Sequence, residues 1–263
     1  MKINANFKAF AGVQFDATKY IASPAYGVNR FMLDRIGNEK ARATTIVEYK
    51  PNSKFPEHEH IGGEEFIVLE GTFKDQYGEF AEGTYIRNPI GTKHAPWVDD
   101  DGCTILVKLL QMAESDEKEP LHVKFGEKFK TGSDDIQQTE YGSVLEMYHN
   151  DMTGERVQMC WVDAGKYLSV VDDEAEPKGE ELFVFDGSLE MSGDDQGYPK
   201  WGWLRFPASK HGDANDTKEA KAALERRKDV KAGKDGATVY RKTGHLTDEA
   251  MAMEKIQIAA EDA

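Results

Sequence analysis

The chain has 263 residues and a formal net charge of −15, with 48 Asp and Glu against 33 Lys and Arg. This acidity argues against a nucleic-acid-binding protein, because neutralising phosphates requires clustered basic side chains. The sequence contains neither an apolar run of about 18 residues nor a signal-peptide pattern, so we predict a cytoplasmic protein that has no membrane span. Its length is enough for two modest domains or one large β domain.

The first informative elements are two short blocks rich in histidine and glycine, each leading into a strand-like run. His58 and His60 lie two residues apart, so in a β-strand their side chains leave the same face, and Glu64 keeps that parity after a glycine-containing bend. His94 follows in the second block, just beyond a turn predicted at Pro89. Solvated histidines in an acidic loop are the alternative. The spacing favours a single site with His58, His60, Glu64 and His94 as ligands.

Three imidazoles and one carboxylate indicate which ion such a site would hold. Nitrogen and oxygen ligands together suit zinc, iron, manganese, nickel or copper, whereas magnesium and calcium prefer oxygen throughout. We therefore predict one divalent transition metal, with zinc and iron as the first candidates and manganese, nickel and copper as the others.

The same residues resemble the two motifs of the cupin superfamily. In this sequence the motifs read His58-x-His60-x3-Glu64-x6-Gly71 and Gly83-x5-Pro89-x-Gly91-x2-His94. The surrounding segments 63–71, 85–89 and 101–103 are similar to the ChrR-like cupin subgroup in particular, and the resemblance covers about residues 24 to 112. It implies a small antiparallel β-barrel or jelly roll with one metal inside. The helical, zinc-ligating domain of ChrR has no counterpart in this sequence, so an anti-sigma role is not expected.

The second half of the chain repeats the first. The segment 179–190 matches 63–74, and 205–207 matches 87–89. We therefore predict a mainly antiparallel, all-β bicupin, in which two cupin-type barrels or jelly rolls lie in tandem with a few peripheral helices. The predicted domains are a metal-binding barrel over residues 1–115 and a second, degenerate barrel over residues 120–263, joined by a charged linker that ends in Pro120.

When the ligand positions are aligned with the second half of the chain, carboxylates stand where His58 and His60 stand in the first half. Such a set is either a degenerate second site for a harder cation or a solvated acidic loop. We expect the second barrel to serve mainly as a packing partner. The candidate residues of the second site are Glu174, Glu176, Glu180 and His211.

Two helices are predicted in the second half. Residues 216–232 are rich in alanine and charge and begin with Asp216 as a cap, so we expect a helical insertion there. A carboxyl-terminal helix is predicted after Thr247, whose hydroxyl would cap it.

Three further residues are candidates for contact with a substrate. Tyr85 and Arg87 share a strand face, and if that face is the inner one, Arg87 would bind a carboxylate or enolate; the alternative is a structural ion pair. Trp97 lies three residues after a predicted ligand. Cys103 and Cys160 stand in apolar, strand-like contexts and are predicted to be buried, reduced thiols.

The predicted function depends on how many ligands the metal takes. An open six-coordinate ion favours an enzyme, a metal-dependent dioxygenase acting on a small carbonyl compound such as a β-diketone or an enolisable ketone. A closed tetrahedral zinc favours a non-catalytic ChrR-like module that senses a small molecule or reactive oxygen species. A sugar isomerase or epimerase is the third hypothesis, but Lys93, the basic neighbour of His94, points away by parity. The expected partner is a small-molecule ligand or substrate, and the chain is expected to be a monomer or a homodimer.

Overall fold

The computed structural model describes residues 1–114, 116, 118–169, 178–208, 218–247, 251–252 and 254. The chain forms two compact units: Met1–Ala5, Asp16–Thr131 and Met253–Ala263 make up the first, and Asn6–Phe15 and Gly132–Ala252 the second. Each unit is built around one large antiparallel sheet. The predicted all-β, mainly antiparallel class is therefore confirmed. The first unit extends beyond the boundary predicted at residue 115, and residues 6–15 belong to the second unit.

In chain order the strands are β1 (Lys2–Ile3), β2 (Ala11–Val13), β3 (Ile21–Ala22), β4 (Val28–Gly37), β5 (Ala41–Tyr49), β6 (His58–Glu59), β7 (Glu64–Asp75), β8 (Gly78–Ala81), β9 (Thr84–Asn88), β10 (Lys93–His94), β11 (Cys103–Leu109), β12 (Leu121–Lys124), β13 (Gln137–Thr139), β14 (Gly142–Asn150), β15 (Glu155–Val162), β16 (Lys178–Met191), β17 (Asp194–Pro199), β18 (Trp203–Ala208) and β19 (Lys231–Thr243). The α-helices are α1 (Phe125–Thr131) and α2 (Lys218–Lys228), and a 3₁₀ turn spans Ala17–Lys19.

The sheet of the first unit has the strand order β1-β4-β5-β11-β7-β9-β12, with β3 on β4 and β8 on β7. Its strands are rich in Val, Ile and Phe, and alternate positions carry these side chains to one face, where they form a core. The core consists of Val28, Val47, Phe66, Val68, Phe73, Phe80, Ile86, Val98, Cys103, Ile105 and Val107. β6 and β10 form a separate two-stranded ribbon.

The sheet of the second unit has the order β13-β14-β15-β19-β16-β18-β2, with β17 on β16. Its last strand comes from the amino-terminal segment, because β2 pairs with β18 and places Ala11 opposite Arg205. The Arg205 guanidinium donates to the Asn6 carbonyl at 3.0 Å and lies over the ring of Phe7. Residues 6–15 are thus part of the second unit. The pairing joins residues almost 200 positions apart, and no local sequence pattern predicts it.

The predicted helices are only partly covered by the described residues. α2 lies within the predicted insertion 216–232, whereas its proposed cap, Asp216, lies outside the described residues. Of the predicted carboxyl-terminal helix, residues 251 and 252 are helical, and the Met251 amide donates to the Thr247 carbonyl at 2.9 Å. No helix in the described part of the chain is both long and apolar enough to cross a membrane. Cys103 and Cys160 are free and buried, as predicted.

Candidate metal centre

The four predicted metal ligands lie together in the first unit. One ligand atom from each of His58, His60, Glu64 and His94 falls within 4.8 Å of the others. His58 and His94 face each other across the pairing of β6 with β10, His60 follows β6 directly, and Glu64 begins β7. The structure therefore brings together from three strands the set that the spacing predicted.

Backbone hydrogen bonds join the two sequence blocks at this point. The His60 amide donates to the Thr92 carbonyl at 2.9 Å, and the Gly91 amide donates to the His60 carbonyl, also at 2.9 Å. The bend between His60 and Glu64 needs Gly63, whose φ is +76° and whose added Cβ would lie 2.2 Å from the Met112 sulfur. Glycine at this position is thus required both by the backbone conformation and by the packing.

Each imidazole is oriented by its Nδ1 atom. His58 Nδ1 lies 3.0 Å from the Pro56 carbonyl, and His94 Nδ1 lies 3.1 Å from Asp75 Oδ2. Because a carbonyl and a carboxylate only accept, both Nδ1 atoms carry the proton. In a neutral imidazole with this tautomer, Nε2 has the free lone pair.

The other two ligands are held in the same way. His60 Nδ1 lies 2.8 Å from Thr92 Oγ1, whose hydroxyl donates to the Pro89 carbonyl at 2.7 Å, so the hydroxyl accepts from His60. Asn88 Nδ2 donates to Glu64 Oε1 at 3.3 Å. All four predicted ligands thus have a partner that fixes the side chain while leaving a lone pair for an ion.

The nitrogen and oxygen atoms that face one another in the cluster have the arrangement expected of a cation site. His60 Nε2 is buried, and among the described residues it has no hydrogen-bond partner. It lies 3.4 Å from Glu64 Oε1, and His94 Nε2 lies 3.5 Å from the same oxygen. Burial lowers the pKa of His60 to about 4, although Glu64 acts in the opposite direction, so this imidazole is neutral at pH 7. Lone pairs that converge on a carboxylate repel one another unless a cation lies between them, and the residues therefore fit a metal ion.

A cavity of about 280 Å³ adjoins the cluster, and His58, His60 and Glu64 are among its lining residues. Much of the remaining lining is apolar and comes from core strands, for example Val47 and Val107. The cavity gives a small molecule access to the ligand set, which a closed structural metal site would not need.

The structure places Tyr85 and Arg87 away from the cavity beside the ligands. Ile86, between them on β9, faces the core, so both side chains lie on the opposite face of the strand. The Tyr85 hydroxyl and Arg87 Nη1 each donate to Glu65 Oε2 at 2.8 Å, and Arg87 Nη2 donates to Asp116 at 2.8 Å. Arg87 belongs to a buried ion pair, which was the alternative interpretation.

Trp97 does not line the cavity beside the four ligands. Its backbone pairs with Lys74, and its side chain borders a separate cavity of about 430 Å³ together with Phe55. The Phe55 ring borders both cavities and lies 5.1 Å from the imidazole of His58. Phe55 is therefore an aromatic neighbour of the candidate site, as are Tyr49 in the same lining and Phe73, whose ring lies 5.7 Å from the imidazole of His94.

Of the candidate second site, Glu174, Glu176 and His211 lie outside the described residues. Glu180 is buried in the second unit, where it accepts from the guanidinium groups of Arg227 and Arg241. Burial raises the pKa of Glu180, but the two arginines outweigh this effect and hold it below its usual value. The carboxylate is thus ionised and already paired with two cations.

Sequence reasoning missed the residues that support the ligands and one that lines the cavity: Asp75, Asn88, Thr92 and Arg30. Asn88 and Thr92 lie inside the second block. Asn88 lies opposite Glu64 in the pairing of β7 with β9, so aligning these two strands would have placed it beside the ligand. Asp75 stands at a hairpin that the sequence does not connect with His94.

Comparison with known proteins identifies the fold. Residues 8–113 match the family model described as the ChrR cupin-like domain. Residues 8–113 are a ChrR cupin-like domain. Solved cupin-fold proteins then match both halves of the chain, so the predicted bicupin architecture is confirmed as well. No curated protein gives a significant sequence match.

Three solved structures illustrate the range of proteins that share this cupin fold. A putative dioxygenase from Nostoc punctiforme has a TM-score of 0.59 at 12% identity, covering 95% of this chain and 86% of its own. The bacterial pirin YhhW from Escherichia coli, solved with nickel(II), has a TM-score of 0.54 at 12% identity, covering 89% and 98%. The salicylate 1,2-dioxygenase from Pseudaminobacter salicylatoxidans has a TM-score of 0.50 at 12% identity, covering 89% and 78%. At these identities the likeness concerns the fold.

Proposed function

We propose that this cupin binds one divalent transition metal through His58, His60, Glu64 and His94 and acts as a metal-dependent dioxygenase on a small enolisable carbonyl compound. The observation that carries the proposal is the convergence of four ligand atoms within 4.8 Å beside a cavity of about 280 Å³. This volume lies just below the range of about 300–1,000 Å³ that is typical of ligand sites, so the cavity suits a small molecule.

The charge of the ligand set favours an enolate as the bound form of the substrate. Glu64 is the one anionic member of the set, so a divalent ion held by these residues keeps a net charge of about +1. Four protein ligands on a six-coordinate ion leave two positions, which is enough for a chelating substrate or for one substrate atom and dioxygen. When bound, the metal would supply Lewis acidity toward a carbonyl oxygen and, if redox-active, electrons for dioxygen chemistry.

The protein's own residues have three tasks in this proposal. Pro56, Thr92 and Asp75 keep the Nδ1 protons in place, so each Nε2 stays a ligand. Asn88 orients Glu64. The apolar wall excludes water, which strengthens the electrostatic interaction between the site and a charged substrate.

The names of the proteins that share this fold agree with the proposal, but they are not the evidence for it. Two of the three structures above are named as dioxygenases and one contains nickel. Because one fold supports many chemistries, the evidence for this activity is the ligand set and its cavity.

The test begins with metal content measured by mass spectrometry on protein purified without a histidine tag or chelator. We expect near-stoichiometric metal in the native protein, its loss in His94→Ala, and its retention in the matched control His149→Ala, which replaces a half-exposed histidine of the second unit. Protein that contains iron, manganese, nickel or copper should then consume oxygen when mixed with pentane-2,4-dione.

Two results would contradict the proposal. Equal metal in the native protein and in His94→Ala would remove the ligand assignment. Zinc alone, with no oxygen uptake after reconstitution with iron, manganese, nickel or copper, would favour the non-catalytic sensing module instead.

A further inference from the structure

An arginine that no motif includes lines the same cavity as the metal ligands. Arg30 lies on β4 two residues after Val28, so the two side chains share a face. On the neighbouring strand β5, Val47 lies opposite Arg30. Both valines belong to the core of the first unit, and all three residues line the cavity of about 280 Å³. The alternation of β4 thus places a cationic side chain among apolar ones, beside the proposed metal.

The Arg30 guanidinium has few partners within the protein. Its side chain is 17% exposed, and in the described part of the chain its Nε is buried without a hydrogen-bond partner. Nη1 lies 3.6 Å from Glu39 Oε2, which is beyond hydrogen-bond distance, and the Glu39 side chain is 71% exposed. Water screens such a pair, so Glu39 neutralises Arg30 only weakly. A buried donor without an acceptor is costly, and a bound ligand would remove that cost.

The surroundings of Arg30 favour an anionic ligand. Burial and the neighbouring charge of Arg30 lower the pKa of Arg35, which places two cationic groups close together on this strand. Arg35 donates to the Asn38 carbonyl, whereas Arg30 makes no such bond to the described residues. Lys40 is a second basic residue in the cavity lining. Of the acids in that lining, Glu64 belongs to the ligand set, Glu59 lies beside it on β6, and the exposed Glu39 faces Arg30.

A guanidinium presents parallel N–H donors in a rigid fork that matches a carboxylate. From this geometry we infer that the substrate is a small enolisable keto acid whose carboxylate binds Arg30 while its carbonyl oxygens would bind the metal held by the four ligands. Arg30 lines the same cavity as His58, His60 and Glu64, so a short molecule with an apolar middle can contact both ends of it. The inference rests on the proposed function and adds the substrate class to it. Arg30 takes the role that the sequence assigned to Arg87.

Two probes that differ in one group test this inference. Heptane-2,4-dione and 4,6-dioxoheptanoate have the same chain length and the same β-diketone, and a terminal methyl group of the first is a carboxylate in the second. Binding to the metal-containing protein is measured by calorimetry and by the absorbance of the enolate. We expect the acid to bind about 10–100-fold more tightly than the neutral diketone, which is the range of a charge-assisted hydrogen-bonded pair.

Variants then assign the difference to Arg30. Arg30→Gln should weaken binding of the acid by about 10–100-fold and leave the neutral diketone and the metal content within about twofold. Arg30→Lys should retain part of the affinity, because the charge remains and the fork is lost. Glu39→Gln should strengthen binding of the acid by about 2–5-fold, because it removes the competing acid. Arg156→Gln, at an exposed ion pair of the second unit, is the matched control and should change neither affinity.

The outcomes separate this inference from the proposed function. If the native protein binds both probes equally, or if Arg30→Gln weakens both equally, the keto-acid assignment is overturned and the metal-dependent enolate site stands. If neither probe binds to metal-containing protein, both the inference and the enolate chemistry are overturned. Thermal unfolding of each variant shows whether an affinity change reflects a folding defect.

Discussion

The two units place a buried glutamate at matching positions and neutralise it in different ways. Glu64 begins the long strand β7 of the first unit, and Glu180 lies near the start of β16 in the second. Around Glu64 stand imidazole nitrogens, two of them at 3.4 and 3.5 Å from its Oε1. Around Glu180 stand the guanidinium groups of Arg227 and Arg241.

The difference shows how one position can belong to a candidate metal site in one unit and to an ion cluster in the other. Arg241 lies opposite Leu182 on β16, as Val107 lies opposite Phe66 on β7. The residue at this position therefore contributes to an apolar wall in the first unit, whereas in the second it joins Arg227 as a permanent cation beside the glutamate. A buried carboxylate needs a positive partner, because removing it from water unpaired costs several kcal/mol. The second unit supplies that partner from its own side chains, and in the first unit the proposed metal ion is the partner.

The largest effect is expected from breaking the cluster of the second unit. Arg241→Val introduces the residue found at the matching position of the first unit and leaves Glu180 with Arg227 alone. We expect the free energy of unfolding to fall by about 3–5 kcal/mol, because a buried ion pair loses one partner. Urea unfolding followed by tryptophan fluorescence measures it, since Trp161, Trp201 and Trp203 lie in this unit. Arg156→Ala, at an exposed pair, should cost less than about 0.5 kcal/mol. A loss below about 1 kcal/mol for Arg241→Val would show that the cluster is not required.

The second effect concerns the metal-free first unit and pH. His60 has a pKa of about 4 in the folded protein against 6.5 as its ordinary value, so between these values the unfolded chain binds more protons. The stability contributed by the neutral imidazole is therefore present above about pH 6.5 and is lost as the pH falls toward 4. The size is about 3 kcal/mol, at about 1.4 kcal/mol for each pH unit.

Chelator-treated native protein and His60→Asn are compared by urea unfolding at several pH values. The native protein should lose about 3 kcal/mol more than the variant between pH 7 and pH 4, because asparagine does not titrate. Parallel pH profiles would show that His60 is not buried as a neutral group.

The smallest effect is expected from the residue that orients His94. Asp75→Asn keeps an oxygen that can accept from the amides of Tyr77 and Gly78 but removes the carboxylate charge next to His94 Nδ1. We expect the affinity for zinc or iron to fall by about 10–100-fold with little change in thermal stability, because partners of metal-ligating histidines tune the affinity by this amount. Competition with a metal-binding dye measures the change. Glu79→Gln, an exposed neighbour on the next strand, is the control, and an equal loss there would mean that only the general negative charge matters.

Local sequence patterns were sufficient to predict the candidate ligands and the fold class. Spacing of two residues and the parity of Glu64 predicted that His58, His60 and Glu64 share a face, and the two-block pattern added His94. The repeat between the halves predicted two β units, and the alanine-rich insertion predicted α2. These features are local: they depend on side-chain period, on turn residues and on order along the chain.

The tertiary structure alone decided which face of each strand points inward. Parity shows that Tyr85 and Arg87 share a face but does not say which face is buried around the cavity, and the packing of Ile86 settled it. The same packing brought Arg30 to the cavity and Asp75 to His94. Pairing of β2 with β18 and of Arg227 and Arg241 with Glu180 joins residues far apart in the chain. Such contacts follow from closing the sheets, because the burial that stabilises them exists only after the strands have assembled.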